Sequence, residues 1–385
     1  MQSDPQPRAL PEPDVAARAH SARVVAAVRE AIAAAGGFLT LERYLARVLY
    51  APGLGYYVSG TRKFGAAGDF VTAPELTPLF GRALAVQVEA ILAATGERRI
   101  VELGAGSGAL AAQLLEAAPS VRYEIVEVSP ELRARQRATL AAQASRVTWL
   151  DALPESIDGA VIMNEVLDAI PAHVIVRRGD AWLERGVVDG PDGLALAERP
   201  LADERLRALA QQRFPEHGDY ASEINPAAEA LVAELSARVR AGAMLIVDYG
   251  FPAAEYYHPQ RCHGTLMGHY RHRAHGDVLL WPGLSDLTTH VDFSAIAAAG
   301  ERSGLRVAGF TSQAAFLLGC GILDLLARAG SPDSAAYLRA AAAVQQLTSP
   351  AEMGELFKVL ALARSDAIAW PGFTIADRSH RLGSE

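Results

Sequence analysis

Two carboxylates and an amide follow an apolar run in the stretch AVIMNEVLDAIPAH, which covers residues 160–173. Asn164 and Glu165 come directly after the run, and Asp168 follows three residues later. A carboxylate at such a point can hold a cation through paired hydrogen bonds or take up a proton. If the run is a buried strand, the sheet fixes the backbone of these residues, and reacting groups need that support.

A glycine-rich turn lies between a predicted strand and a predicted helix in VELGAGSGALAAQLL. Gly104, Gly106 and Gly108 permit a tight turn and let a ligand approach the backbone. In a doubly wound sheet, ligands bind at the carboxyl ends of the strands, where this turn would lie. Glu127 ends the next predicted strand and can accept hydrogen bonds from both hydroxyl groups of a ribose.

Two nucleoside cofactors fit this turn. From Gly104 onward it matches the G-x-G-x-x-G/A pattern of nicotinamide dinucleotide sites. Glu102 favours a different ligand, because a carboxylate just before the turn suits a cation better than a pyrophosphate. Asp151 and Ala152 follow the third predicted strand, where apolar contacts and one acceptor could hold an adenine. S-adenosylmethionine combines adenosine with a positive centre, and we expect Glu102 to face its ammonium group or to lie just behind that contact.

Strands alternate with helices from residue 99 onward, which indicates parallel β-α-β units and an α/β fold. The predicted strands cover residues 99–103, 123–128, 146–150, 159–164, 243–250, 306–311 and 357–364. Predicted helices at 15–35 and 41–50 precede this pattern, and a predicted hairpin turns at Gly179 and Asp180. The predicted regions are a disordered tail (1–14), an N-terminal helical and lid region (15–95), the cofactor-binding half of the core (96–170), an inserted substrate or partner region (171–243), the rest of the core with a His/Arg-rich loop (244–366) and a C-terminal tail (367–385).

Composition excludes several classes of protein. The formal net charge of −8 over 385 residues argues against a nucleic-acid binder. The two cysteines, Cys262 and Cys320, cannot form a disulfide framework or a cysteine-rich zinc site, and they indicate a reducing compartment. We expect no membrane insertion, because no apolar run is long enough to span a bilayer. The histidines of GHYRHRAH have a spacing typical of metal ligands, but the interleaved arginines would repel a cation, so we predict no metal site.

Longer motifs carry a resemblance to a known family. They are GDFVTAPELTPLFG, VELGAGSG, NEVLDAIP, LIVDYG, GTLMGHYRHR, PGLSDLTTHVDF and MGELFKVLAL. The chain resembles, over residues 37–364, the MidA-type family of S-adenosylmethionine-dependent methyltransferases, which includes the mitochondrial complex I assembly methyltransferase.

The resemblance implies a Rossmann-like, seven-stranded methyltransferase fold with an N-terminal helical extension and an inserted α+β substrate region. It also implies methyl transfer from S-adenosylmethionine to an arginine side chain of a protein. In eukaryotic members that protein is a subunit of respiratory complex I, and its arginine becomes symmetrically dimethylated. A bacterial-type chain would act in the cytoplasm and a eukaryotic one in the mitochondrial matrix. Neither the resemblance nor the composition predicts an oligomeric state.

An arginine acceptor would explain the two carboxylates after the fourth strand. A guanidinium stays cationic, and a carboxylate can hold two of its N–H groups while the third nitrogen faces the methyl group. We expect Glu165 to bind the guanidinium, and Asp168 to orient it or to take up a proton. A helix beginning near Glu165 would place both on one face, although Asp168 could instead only cap a turn. Asn164 is expected to shape the turn or to touch the cofactor.

Two further residues are candidates for contact with the acceptor. Glu75 belongs to GDFVTAPE, which could form a lid over the cofactor or could simply begin a helix. His290 holds a position from which other arginine methyltransferases bring a histidine toward the guanidinium. Its neighbour Asp292 could serve only as the cap of the helix predicted from about Ser294.

Two other functions fit parts of the sequence. A non-catalytic assembly factor would bind S-adenosylmethionine and use residues 171–243 and the GHYRHR loop to hold a protein partner. Glu165 and Asp168 weigh against it, because a binding module has no need of them beside a cofactor. A nicotinamide-dependent oxidoreductase would use the same glycine turn, and only the correct cofactor would stabilise the fold against heat.

Overall fold

The computed structural model describes residues 10–59 and 71–383. Residues 1–9 of the predicted tail and residues 68–70 of the predicted lid lie outside this description. Among the described helices, none has both the length and the apolar character needed to cross a membrane.

Several helices begin where a polar side chain caps the first turn. Asp14 accepts the N–H of Ala17 at the start of the first helix, and Thr40 accepts that of Arg43 at the second. The helices are α1 (Val15–Ala34), α2 (Leu41–Tyr50), α3 (Ala73–Leu76), α4 (Leu79–Thr95), α5 (Ala109–Ala117), α6 (Pro130–Thr139), α7 (Glu204–Arg213), α8 (Pro226–Arg238), α9 (Ala253–Tyr256), α10 (Phe293–Arg302), α11 (Gln313–Gly319), α12 (Ile322–Ala327), α13 (Ala335–Thr348) and α14 (Met353–Leu356).

Seven of the described strands coincide with the predicted apolar runs. Of the others, one lies at residues 39–40 and the rest lie between residues 171 and 292. They are β1 (Leu39–Thr40), β2 (Arg99–Leu103), β3 (Arg122–Val126), β4 (Val147–Leu150), β5 (Ile157–Asn164), β6 (His173–Arg178), β7 (Ala181–Gly190), β8 (Gly193–Pro200), β9 (Tyr220–Ile224), β10 (Val239–Phe251), β11 (Met267–Tyr270), β12 (Arg273–His275), β13 (Asp286–Thr288), β14 (Val291–Asp292), β15 (Arg306–Ser312) and β16 (Phe357–Ala363).

The central sheet has the strand order β15–β16–β10–β5–β2–β3–β4, and the short strand β14 also pairs with β10. The strands from β10 to β4 run parallel to one another, whereas β16 is antiparallel to both of its neighbours. The predicted Rossmann-like α/β fold with a seven-stranded sheet is therefore confirmed.

Helices cover both faces of the central sheet. Leu84 of α4, Leu114 of α5 and Phe316 of α11 belong to the apolar cluster on one face. Val232 of α8 and Ile296 of α10 belong to the cluster on the other face. Because the inner strands are buried on both sides, β5 and β10 are almost continuously apolar. Residues 171–243 thus contribute α8 to this core as well as separate strands.

A second, antiparallel sheet has the order β1–β7–β6–β9, with β8 paired to β7. The predicted hairpin is formed by β6 and β7, whose register places Arg178 opposite Ala181. Strand β1 pairs with the same β7, with Leu39 opposite Val187. Helices α1 and α2 pack on this sheet through a shared apolar cluster. The N-terminal helices and the inserted strands therefore form one unit.

A third, three-stranded sheet has the order β12–β11–β13. It lies after β10 in the chain and contains the GHYRHR motif and the DLT residues of PGLSDLTTHVDF. Leu287 of β13 and Val278 of the loop after β12 belong to the apolar cluster of α1 and α2. The two smaller sheets thus lie on the same side of the molecule as the N-terminal helices.

Candidate active site

A cavity of about 940 Å³ opens where β2, β3, β5 and β10 reach their carboxyl ends. Parallel strands end at a common edge, so the loops after them meet there. Most of the predicted site residues line this cavity. They are Glu102, Gly104, Gly106, Glu127, Asp151, Ala152, Asn164, Glu165, Asp168 and His290.

The glycine turn has backbone angles that favour glycine. The φ angles are 63° at Gly104, 52° at Gly106 and 81° at Gly108, all in the left-handed region. Gly108 does not line the described cavity but begins α5, and a Cβ there would lie 3.4 Å from Gln136. Gly104 and Gly106 therefore face the ligand space, while Gly108 serves the turn into the helix.

Glu127 lies directly after β3 and is only 5% exposed. The N–H of Ser129 donates to its Oε1 over 2.9 Å, and Nε2 of Gln136 donates to its Oε2 over 3.1 Å. Burial raises its pKa, and these donors partly oppose that effect. The carboxylate is thus held at the cavity wall with acceptor capacity left for ribose hydroxyl groups.

Glu102 lies within β2 and is 2% exposed. Its Oε2 accepts the hydroxyl of Tyr123 over 2.9 Å. Burial raises the pKa of Glu102 to about 8, and the nearby charge of Glu127 adds to that shift. A cation at this end of the cavity would favour the charged carboxylate.

Asn164 ends β5 with an unsatisfied acceptor. Its Nδ2 donates to Oε1 of Glu165 over 3.3 Å, while its Oδ1 is buried and has no hydrogen-bond partner. A buried polar atom without a partner is costly, so this oxygen fits a ligand donor such as an ammonium group. Asp151, the predicted adenine acceptor, has an exposed side chain that pairs with Nη1 of Arg133 over 2.6 Å. Its carboxylate lies at the cavity edge.

No helix begins at Glu165, and this part of the sequence prediction is wrong. Glu165 has a φ of 54°, which is uncommon for a residue other than glycine. Oδ2 of Asp248, at the end of β10, accepts the N–H groups of Val166 over 3.2 Å and Leu167 over 2.9 Å. The loop therefore satisfies its donors with a buried carboxylate instead of starting a helical turn.

Glu165 and Asp168 nevertheless lie close together. Glu165 accepts hydrogen bonds from Asn164 and from the N–H of Ala73, yet burial and then the charge of Asp168 raise its pKa to about 8. Asp168 accepts the hydroxyl of Tyr249, and burial also raises its pKa. Its Oδ1 is buried without a partner. Two buried carboxyl groups that repel each other within one loop of the cavity wall favour a cationic ligand.

Sequence reasoning missed a group of aromatic and acidic residues that line the cavity near Asp168. Tyr50 and Tyr57 stack with ring centres 5.3 Å apart, and both line the cavity. The Tyr57 hydroxyl donates to Oδ1 of Asp286 over 2.5 Å, and the Tyr50 hydroxyl donates to the carbonyl of Ala169 over 2.9 Å. Asp286 lies in the motif PGLSDLTTHVDF. The polar Ser-Asp pair between apolar residues of this motif was the sequence signal that could have indicated a site residue.

His290 lines the cavity beside Tyr249, and the two rings meet edge to face at 5.3 Å. Burial, followed by the nearby charge of Arg261, lowers its pKa to about 4, so the ring is neutral near pH 7. Its Nδ1 is buried without a hydrogen-bond partner. Its backbone N–H donates to Oγ1 of Thr265 over 3.0 Å, and that hydroxyl donates to Glu223 of β9 over 3.0 Å. The second sheet thus helps to position this histidine.

Glu75 and Asp292 make contacts that agree with the structural alternatives predicted for them. Glu75 is not among the described residues that line the cavity, and its Oε1 lies 3.4 Å from Nη2 of Arg135. It occupies the short helix α3, which agrees with the helix-start alternative. Asp292 accepts the N–H of Ala295 over 3.1 Å and caps α10, as the capping alternative predicted.

The GHYRHRAH segment forms the hairpin of β11 and β12. Arg271 and His272 make its turn, with φ angles of 46° and 59°. His269 lines the cavity, and burial lowers its pKa. In the part of the chain that the structure describes, no group of His, Cys, Asp and Glu side chains could hold a metal ion.

These groups fit S-adenosylmethionine better than a dinucleotide. The carboxylates of Glu102 and Glu127 and the unpartnered oxygen of Asn164 offer acceptors to hydroxyl and ammonium groups. A pyrophosphate would instead meet hydrogen-bond acceptors with no cation to balance its charge. No Lys or Arg is present among the described residues of the cavity wall. The strand order, the glycine turn and this set of hydrogen-bond acceptors define a Rossmann-like methyltransferase.

The chain belongs to a family of S-adenosyl-L-methionine-dependent methyltransferases, Methyltransf_28, whose profile matches residues 79–311. A relative named "Protein arginine methyltransferase NDUFAF7, mitochondrial" from Mus musculus is 31% identical over 371 residues, which cover 85% of this chain and 81% of that protein. The protein of the same name from Homo sapiens is 29% identical, and the match covers 85% of this chain and 80% of that protein.

A crystal structure from Burkholderia thailandensis has the same architecture. It is a COG1565 superfamily member bound to S-adenosyl-homocysteine, with 50% sequence identity and a TM-score of 0.92. The match covers 97% of this chain and all of that one. Family membership decides between the two cofactor interpretations in favour of S-adenosylmethionine.

Proposed function

We propose that this methyltransferase transfers the methyl group to an arginine side chain of a protein. The observation that carries the proposal is that Glu165 and Asp168 are buried in the cavity wall that also contains the glycine turn. An arginine supplies the permanent positive charge that such a wall favours. The relatives named as protein arginine methyltransferases support the same substrate class.

Glu165 is the proposed main ligand of the guanidinium. Its two carboxylate oxygens can accept two N–H groups in a fork, which orients the third nitrogen and concentrates positive charge on the bound side. The attacking nitrogen then keeps more lone-pair character. Asp168, anchored by Tyr249, supports this orientation from the same loop. Most of the rate gain would come from positioning and electrostatics.

Asp168 is the proposed acceptor of the proton that the guanidinium loses, in the charged state of the carboxyl pair. The pKa of His290 is lowered to about 4, so its ring is neutral and a weak base. Its Nδ1, which has no hydrogen-bond partner, is proposed to accept a hydrogen bond from the guanidinium. The two groups flank Tyr249, which contacts both.

We propose that S-adenosylmethionine contacts the residues that the sequence analysis predicted for cofactor binding. When bound, S-adenosylmethionine supplies an electrophilic methyl group on a sulfonium. Gly104 and Gly106 leave room for its amino-acid part, and Asn164 accepts from its ammonium group. Glu127 accepts from the ribose hydroxyl groups, and Ala152 contacts the adenine.

We further propose that the second sheet and the hairpin of β11 and β12 bind the protein partner. Both lie on the side of the molecule that also supplies Tyr50 and Tyr57 to the cavity. By analogy with the relatives, the partner would be a subunit of respiratory complex I and the product symmetric dimethylarginine. A bacterial enzyme of this kind would act in the cytoplasm, and a eukaryotic one in the mitochondrial matrix.

The test is mass spectrometry of arginine methylation in cells with and without the enzyme. We expect the gain of one or two methyl groups on arginine in a co-purified protein, and its loss when Glu165→Gln replaces the parent. Robust turnover of free arginine, equal to that of any protein, would contradict a protein substrate. A Glu165→Gln variant that restores assembly of the partner without methylation would favour the non-catalytic assembly factor.

A further inference from the structure

The cavity mouth carries exposed apolar side chains. Among the described residues, Val128 is 75% exposed, Met267 is 41% exposed and Leu356 is 39% exposed, and all three line the cavity. Exposed apolar groups at the mouth of a polar cavity mark a place where another molecule binds.

Val128 and Met267 border different ends of the cavity. Val128 follows Glu127, so it lies at the cofactor end. Met267 lies on β11 opposite Thr288 of β13, and Thr288 lines the cavity two residues before His290. Met267 therefore lies at the acceptor end.

Leu356 also lies at the acceptor end. It precedes Phe357, whose ring packs against that of Tyr249 with centres 5.4 Å apart. Tyr249 in turn donates to Asp168, one of the two proposed guanidinium ligands. Leu356 and Met267 thus both border the acceptor end of the cavity, and these two residues are called the apolar rim below.

We propose that this rim, Met267 and Leu356, binds an apolar residue that flanks the target arginine in the substrate protein. The inference rests on the proposed arginine chemistry. A protein that inserts an arginine side chain must lay its backbone across the mouth, with neighbouring residues about 3.5 Å apart along the chain. Burial of an apolar neighbour against the rim is favourable because it removes apolar surface from water. An acidic neighbour would lose its hydration there without gaining a hydrogen bond or an ion pair.

The experiment uses a pooled peptide library with a central arginine and randomised flanking positions. Methylated peptides are identified by mass spectrometry after reaction with the full-length enzyme. We expect about a tenfold enrichment of Leu, Ile, Val and Phe over Asp and Glu at a flanking position, which corresponds to about 1.4 kcal/mol. In Met267→Glu, the preference should shift from apolar residues toward Lys, and cofactor affinity should be unchanged.

The matched control is Leu338→Glu, which adds the same charge at an exposed leucine of α13 outside the described cavity wall. This control should keep the preference of the parent enzyme. Equal methylation of peptides with all flanking residues, or a preference that Met267→Glu leaves unaltered, would contradict the proposal that the rim binds an apolar residue. Methylation of no arginine peptide would instead contradict the proposed function together with it.

Discussion

The hydroxyl of Tyr57 donates a hydrogen bond of 2.5 Å to the carboxylate of Asp286. Tyr57 belongs to the N-terminal region and Asp286 to β13, so this bond joins two cavity-lining segments that are far apart in sequence. Burial, and then the charge of Asp286, raises the pKa of Tyr57 well above its usual range. The phenol therefore remains a donor at any pH used for assay.

Tyr57→Phe removes this donor and keeps the ring. We expect kcat/KM for the protein substrate to fall about tenfold, as for loss of a hydrogen bond to a charged group. Cofactor affinity should be preserved, because Ser129 donates to the backbone carbonyl of Tyr57, which the change leaves intact. Steady-state kinetics and calorimetry provide the two measurements. Tyr337→Phe on α13 is the control, and an equal loss in that variant would contradict a local role.

Glu165→Gln keeps the size of the side chain and removes its charge. Single-turnover methyl transfer at saturating cofactor should fall by roughly 100-fold, which corresponds to about 3 kcal/mol in the transition state. Asp168→Asn should reduce the rate less, because the proposed contact of Asp168 with the guanidinium only supports that of Glu165. A Glu165→Gln enzyme within about threefold of the parent would show a structural role for this loop and redirect attention to His290.

Gly106→Val places a branched side chain at a φ of 52° in the ligand space. We expect loss of S-adenosyl-homocysteine binding in calorimetry, because the side chain would occupy the cofactor position. Gly179→Val is a matched control, since Gly179 has a φ of 55° and open space around its Cβ. Both changes should destabilise the fold through backbone strain, but only Gly106→Val should abolish binding. Unchanged affinity in Gly106→Val would place the cofactor elsewhere.

The buried carboxyl groups predict how stability depends on pH. The pKa of Glu165 rises from 4.5 to about 8 on folding, so the protonated form is favoured in the native state. Its contribution to stability is fully present below about pH 4.5 and is lost as the pH rises through about 8. Glu102, whose pKa is also about 8, acts in the same direction. The thermal midpoint of the ligand-free protein should therefore decrease across this interval.

Glu165→Gln should flatten that decrease, because the amide does not ionise. Glu97→Gln changes an exposed residue before β2 and is the control. Thermal unfolding at constant ionic strength measures both variants. A slope in Glu165→Gln equal to that of the parent would contradict the burial of an ionisable group at this position.

Local signals explain why much of the fold could be predicted. Helix α2, Leu41–Tyr50, agrees with the prediction because Thr40 caps its start and the chain turns at Pro52 and Gly53. Strand β2 agrees because RIVEL is a short apolar run bounded by the glycine turn. In each case the determining residues lie within a few positions of the element.

The missed features depend on residues that are distant in sequence. The loop after Asn164 avoids a helix because Asp248, on another strand, accepts its N–H groups. Asp286 reaches the cavity only because β13 pairs with β11, and nothing local in the sequence specifies that pairing. Proximity of Glu165 and Asp168 was predicted, but through a helical turn that the structure does not contain.

The pairing of β1 with β7, with Leu39 opposite Val187, has a consequence for the order of folding. During synthesis, β1 emerges long before β7, and closing so long a loop is entropically unfavourable until the contacts form. The β2–β3 pair and α5 between them are close in sequence and can associate earlier. We therefore expect a refolding chain to form its cofactor pocket before the second sheet, which is proposed to bind the protein partner. An intermediate able to bind S-adenosyl-homocysteine should then precede the active enzyme.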